Sequence, residues 1–148
     1  WLHSGERDFV NAILSAAAEG RALCVTASQI GTPTSTEALA RWTWDALPEL
    51  TPVDRLTTVH YVEEGGWISR ADMAVRALEA AEDRAIRFRK AREGMRRTDA
   101  DDGFRPLNCR LSSLKKDEFP RTERWMEGVD KSVDIVVEAK KSLWITQK

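Results

Sequence analysis

The chain has 148 residues, with 23 Lys and Arg against 24 Asp and Glu, so its formal net charge of -1 excludes a simple polycationic nucleic-acid binder. With 42% hydrophobic and 32% charged residues it has the composition of a globular domain, and a chain of this size buries roughly 70% of its unfolded surface. No apolar run approaches the ~18 residues that span a bilayer, and Cys24 and Cys109 stand far apart without metal-ligand spacing, so a reducing, cytoplasmic setting without membrane contact is expected.

Phe9, Ile13, Leu14 and Ala17 recur at three- and four-residue intervals and Gly20 follows, which predicts a helix over 6–19 closed by glycine. Residues 22–27 form a short apolar run ended by Gly31-Thr32-Pro33, suited to a buried parallel strand. Thr34 and Glu37 read as a capping box, and Leu39, Trp42, Ala46 and Leu47 share one face of the helix that follows, up to Pro48. After Thr51-Pro52, the β-branched and aromatic run 56–62 predicts a second strand. Strand, helix and strand in this order make a βαβ unit, hence an α/β fold with a parallel sheet covered by helices.

Ser69 and Asp72 cap a third helix, whose stripe runs Ala71, Ala74, Val75, Leu78, Ala81, Ala85 and Phe88 toward Gly94. From about 96 to 124 the periodicity fails, and Asp99, Asp101, Asp102, Gly103, Pro106 and Pro120 predict an irregular stretch. Residues 133–140 satisfy two patterns: β-branching argues for a strand, whereas continuation to Leu143 and Trp144 permits a helix. The absence of an initiator Met and the abrupt ends suggest a single domain over 1–148 that is itself partial.

Two groups of residues bear on chemistry. Arg84, Arg87, Arg89, Lys90, Arg92, Arg96 and Arg97 form a basic cluster able to contact a nucleic-acid backbone, set against the plainer reading of a solvated face paired with Glu79, Glu82 and Asp83. On a helix, Asp130, Asp134 and Glu138 stand at successive i, i+4 positions and can offer oxygens to a hard cation; on a strand, Asp134, Glu138 and Lys140 share a face instead. Either arrangement can serve metal-assisted phosphodiester cleavage, and a charged surface edge is the plain alternative. His3 and His60 lack partners at ligand spacing, and no glycine-rich phosphate cradle, G-x-S-x-G or H-E-x-x-H occurs.

The order of several short motifs carries a resemblance. Trp1-Leu2, Phe9-Val10, Cys24-Val25-Thr26-Ala27, Gly31-Thr32-Pro33, Asp45-Ala46-Leu47-Pro48, Val59-His60-Tyr61 and Asp130-Lys131-Ser132-Val133-Asp134-Ile135 together resemble the NYN branch of the PIN-like ribonucleases. That resemblance implies a three-layer PIN-like sandwich with a parallel central sheet flanked by helices, incomplete here, and a Mg²⁺- or Mn²⁺-dependent endoribonuclease acting on RNA. It implies Asp134 as catalytic residue and metal ligand, Glu138 as a second ligand, and Lys131, Arg84, Arg87 and Lys90 as contacts to the RNA. The family's Asp-Gly-x-Asn-like and Ser-x-Asp-x-Asp-like motifs are missing, so the piece itself is expected to be inactive or poorly active. Two alternatives stay open: a restriction-endonuclease-like site built on Glu138 and Lys140 with Asp117 upstream, and a non-catalytic module binding RNA or protein. A helix over 133–143 favours the first reading and a strand there favours the second.

Overall fold

The computed structural model describes residues 8–50, 58–99, 103, 106–113 and 118–145. The predicted helix start at residues 6–7, Thr51-Pro52, the first two residues of the run 56–62, Asp101, Asp102 and Asp117 lie outside them.

Helix α1 spans Phe9–Ala18 and opens on buried Asp8, whose carboxylate accepts the N–H groups of Val10 and Asn11 at 3.2 and 3.4 Å. It closes on Gly20, at φ +68°, as predicted: Arg21 N–H reaches Ala16 O and Gly20 N–H reaches Ala17 O, the two bonds of a Schellman ending. Strand β1 (Cys24–Thr26) follows with Val25 buried, and a tight passage leads to β2 (Ile30–Gly31).

Helix α2 spans Thr36–Leu50, beginning one residue later than the Thr34 box predicts. Ser35 is the cap: its Oγ accepts Ala38 N–H at 3.2 Å. The third helical position is Ala38, not an acid, so the carboxylate that accepts the cap's own N–H comes from Glu63, 28 residues away. Only Ala38 and Ala46 of α2 are buried; Trp42 and Leu39 are half-buried and Leu47 is exposed, so the predicted face packs weakly.

Residues 58–62 of the predicted second strand join no sheet, which corrects the expected βαβ unit. Their extended backbone is held by the segment before the last helix, with a single parallel bridge between Glu64 and Arg124 and a bond from Thr122 Oγ1 to Val62 O. Strand propensity here is met by an extended run without a ladder.

Strand β3 (Ile68–Ser69) leads into α3 (Arg70–Asp83), capped by Ser69 through Asp72 N–H, as predicted. The helix then breaks: Ala85 takes φ +63°, and α4 (Arg89–Glu93) is a separate short turn. Strands β4 (Arg96–Thr98) and β5 (Asn108–Cys109) arise inside the stretch predicted to be irregular. Strand β4 pairs parallel with β1 in the register Val25 to Arg97, while β2 pairs antiparallel with β3 and parallel with β5. The fold is α/β with parallel pairs, but split into a two-stranded and a three-stranded sheet rather than the single parallel layer of a PIN-like sandwich.

Residues Trp125–Ile145 form one helix, α5, which settles the two-way pattern at 133–140. Val129, Val133, Val136 and Val137 fall at i, i+4, i+7 and i+8, and all four are buried, so a helical period overrides β-branching. They pack with Val10, Ile13 and Leu14 of α1 and Ala74, Ala77, Leu78 and Ala81 of α3 over Leu23 and Val25. Each fully buried Leu or Val contributes about 1.5–3 kcal/mol, so Leu14 and Leu78, both fully buried, anchor the three-helix core. None of the described helices is long and apolar enough to cross a membrane.

Candidate functional site

In open α/β sheets the ligand face lies beyond the carboxyl ends of the strands. At the end of β1, Thr26 Oγ1 and Ser28 Oγ lie 2.9 Å apart, and Ala27 N–H donates to Thr98 O at the end of β4. Gln29 is buried, its carbonyl accepting Arg70 N–H at 3.1 Å, and Ile30 N–H donates to Leu107 O at 2.7 Å. The turn 27–29 that joins β1 to β2 thus carries a polar seam between the two sheets.

Three arginines, Arg70, Arg97 and Arg110, lie in or directly after strands β3, β4 and β5. The guanidinium of Arg70 lies 4.7 Å over the ring of Phe9, beside a recess of about 130 Å³ walled by Gly31, Thr32, Pro33, Ile68 and Met73. Arg97 pairs with Asp72 at 2.6 Å; the hydrogen bond from Ser69 and then Arg97 hold the Asp72 carboxyl below its ordinary range. Arg110 is different. Its Nε donates to Asn108 Oδ1 at 2.8 Å and its guanidinium lies 5.0 Å over Trp67, yet it has no carboxylate partner among the described residues. A fork held on one edge and one face, with its terminal nitrogens free of acid, is arranged to take an anion.

The acids and bases singled out in the sequence lie elsewhere. Asp134 is on the outer flank of α5, gripped by Nε and Nη2 of Arg84, which also donates to Ala80 O and Asp130 O. That pairing pulls the Asp134 carboxyl down and pushes the Arg84 guanidinium up. Asp130 takes Arg76 of α3 at 2.5 and 2.7 Å, so both aspartates are held by arginines, one on α3 and one at its C-cap. Glu138 is exposed, Lys140 bridges to Asn11 and Ser15 of α1, and Lys131 pairs with Glu123 at 3.2 Å. Among the basic cluster, Arg89, Arg92 and Arg97 are also paired, whereas Arg87, Lys90 and Arg96 are exposed without an ion pair among the described residues. No group of three or more potential metal ligands occurs among the described residues.

The family model of the RmlD substrate binding domain matches residues 1–137. The chain belongs to the RmlD substrate binding domain family. No curated protein matches the chain. Among solved structures, it is similar to dTDP-4-dehydrorhamnose reductase from Yersinia enterocolitica, with a TM-score of 0.66 at 19% identity, covering 88% of this chain and 44% of that one. It is also similar to dTDP-4-dehydrorhamnose reductase from Bacillus anthracis str. Ames in complex with NADP, with a TM-score of 0.60 at 20% identity, covering 84% of this chain and 41% of that one. The chain thus spans under half the length of these reductases.

Membership of the RmlD family overturns the NYN/PIN-like resemblance and, with it, the Mg²⁺- or Mn²⁺-dependent ribonuclease and its RNA contacts. The helix over 133–143 that would have favoured a PIN-like fold is present, but it is a core helix of a reductase-type fold. The same helix removes the strand on which a restriction-endonuclease-like Glu138 and Lys140 pair depends. The Mg²⁺ or Mn²⁺ expectation falls with the ribonuclease reading; the ligand in the second relative's structure is NADP. The described residues do not themselves fit a nicotinamide dinucleotide. Helix N-termini take pyrophosphate through free N–H groups, but Asp8 fills that of α1, Glu63 bonds the cap of α2, and Asp72 and Glu127 stand in the first turns of α3 and α5.

Sequence reading missed Gln29, Asn108 and Arg110 because they lie in or next to strands of two residues, too short for any periodicity. Gly31-Thr32-Pro33 registered only as a turn. The one available signal was the position of Ser28 and Gln29, polar residues directly after a buried strand.

Proposed function

We propose that this chain supplies the sugar-nucleotide-binding part of an NADP-linked reductase of the dTDP-4-dehydrorhamnose reductase type. The observation that carries this reading is the match of the RmlD substrate binding domain to residues 1–137. The lack of an open pyrophosphate cradle among the described residues supports assigning the chain to substrate and the cofactor to the rest of the enzyme. Directly after β5, Arg110 takes the anionic diphosphate, held in place by Asn108 and Trp67. The hydroxyls of Thr26 and Ser28 and the recess beside Arg70 are suited to sugar or base.

The test is titration of a dTDP-sugar into the protein by calorimetry, together with NADPH consumption on dTDP-4-dehydrorhamnose by the full-length enzyme. Saturable binding that weakens about tenfold or more in Arg110→Ala is expected, since a charge-assisted bond to phosphate contributes about 1.5–3 kcal/mol. Absence of both binding and turnover overturns the reading.

A further inference from the structure

A second cavity, of about 530 Å³, shares no lining residue with the recess at Gly31–Pro33 and has the size of a small-molecule site. One wall is aromatic. Trp42 and Phe119 line it, with ring centroids 6.0 Å apart and planes tilted by 53°, and Tyr61 meets Trp42 edge-on behind them at 5.3 Å. The aromatic wall is fixed in place, because Trp42 Nε1 donates to Pro120 O at 2.8 Å.

The acidic side of the cavity is unusual. Glu63 lines it and is only 2% exposed. Its Oε1 accepts Ser35 N–H at 2.7 Å and the Tyr61 hydroxyl at 3.3 Å, while Oε2 is buried with no partner among the described residues. Buried carboxylate oxygens are almost always paired, and an unpaired one costs free energy that a cation relieves. No cation among the described residues is bonded to it: Arg41 and Lys131 are both taken by Glu123. Glu64 adds a second acid to the lining, and the one lining arginine, Arg121, is exposed. Aromatic rings beside a buried carboxylate with one oxygen unpaired among the described residues are the pair of features that recognise an organic ammonium.

We propose that this cavity is a binding site for a small organic cation, an ammonium carried on an apolar group, with Glu63 as its counter-ion and Trp42 and Phe119 as its aromatic wall. The site is separate from the seam at β1 and β2 and does not depend on the reductase reading.

The probes are benzylamine and its neutral analogue benzyl alcohol, titrated into the full chain at pH 7 while tryptophan fluorescence and ligand-observed NMR are followed. Benzylamine is expected to bind at least tenfold more tightly than benzyl alcohol, and Glu63→Gln is expected to bring the two within about twofold. Equal binding of the two probes to the unmutated chain, or a preference for the amine that survives in Glu63→Gln, overturns the proposal. If Glu63→Gln does not fold, Phe119→Leu decides: at least a fivefold loss of benzylamine affinity supports the site, and a smaller loss overturns it.

Discussion

The Ser35 backbone N–H donates to Glu63 Oε1 at 2.7 Å, so the start of α2 is capped by a carboxylate from a segment 28 residues further along the chain. Burial pushes the Glu63 carboxyl up from its ordinary value of 4.5, and the bonds from Ser35 and Tyr61 pull it only partly back. The folded state therefore holds a proton on Glu63 more tightly than the unfolded state does. Its contribution to stability is fully present below 4.5 and is lost as pH rises through the folded value. Urea unfolding between pH 4 and 8 should show Glu63→Gln gaining on the unmutated chain as pH increases. A gap that does not change with pH would remove Glu63 from the titration. Glu63→Ala, which orphans the Ser35 N–H, should lose about 1–3 kcal/mol at either end.

Ala85 and Gly20 occupy the same place in two identical helix endings. In both, the residue after the cap is left-handed, at φ +63° and +68°, and the following N–H reaches back to the third residue from the helix end, Ile86 to Ala81 and Arg21 to Ala16. Left-handed backbone costs a residue with a Cβ about 1–2 kcal/mol and costs glycine almost nothing. Ala85→Gly should accordingly raise unfolding free energy by about 1 kcal/mol, read from the denaturant midpoint at unchanged slope. An unchanged or lower midpoint would mean that glycine's extra freedom in the unfolded chain outweighs the strain.

The difference between these two endings also explains what was legible in the sequence. Gly20 announces its turn, whereas Ala85 conceals one, so by its apolar stripe the third helix reads as passing straight through it. The stripes of α1 and α3 are visible because helices of ten or more residues repeat their buried face several times, whereas the β-branched run 133–140 leaves α5 open between strand and helix. Strands β2, β3 and β5, of two residues each, have no period to detect. The partner of β1 lay inside a stretch dominated by Asp, Gly and Pro, where only tertiary pairing makes Arg96–Thr98 a strand. The acids of α5 show the opposite difficulty: a real regularity, Asp130 and Asp134 on one face, fits a cation site or a charged surface edge equally well in sequence, and in the fold its partners are Arg76 on α3 and Arg84 at the C-cap of α3.

Pairing with Arg84 lowers the Asp134 carboxyl below its ordinary 3.8, so its stabilising effect is present above 3.8 and is lost as pH falls through the lower folded value. The carboxylate is 59% exposed, and exposed pairs contribute about 0–1 kcal/mol. Asp134→Asn should thus cost little at pH 7, and the difference should vanish at the acid end. Addition of Mg²⁺ or EDTA should leave the melting temperature of both proteins unchanged, because Asp134 is held by a guanidinium. A Mg²⁺-dependent shift seen in the unmutated chain and absent in Asp134→Asn would restore the aspartate as a ligand.

Gly65 and Gly66 separate steric from backbone effects. Both have positive φ, +105° and +76°, but a Cβ on Gly65 would lie 2.9 Å from Trp125 Nε1 and 3.0 Å from its Cδ1, whereas a Cβ on Gly66 meets nothing within 4 Å. Trp125 is buried at the start of α5 and its backbone N–H donates to Glu64 O, so the indole cannot retreat without disturbing the Glu64 to Arg124 bridge. Gly66→Ala should cost about 1–2 kcal/mol, the backbone strain alone. Gly65→Ala adds overpacking against a fixed ring and should cost about 1–3 kcal/mol more. Urea denaturation of the two variants side by side gives the difference directly. Equal losses would show that the indole moves aside freely, and that the junction between the extended segment and α5 is looser than its hydrogen bonds imply.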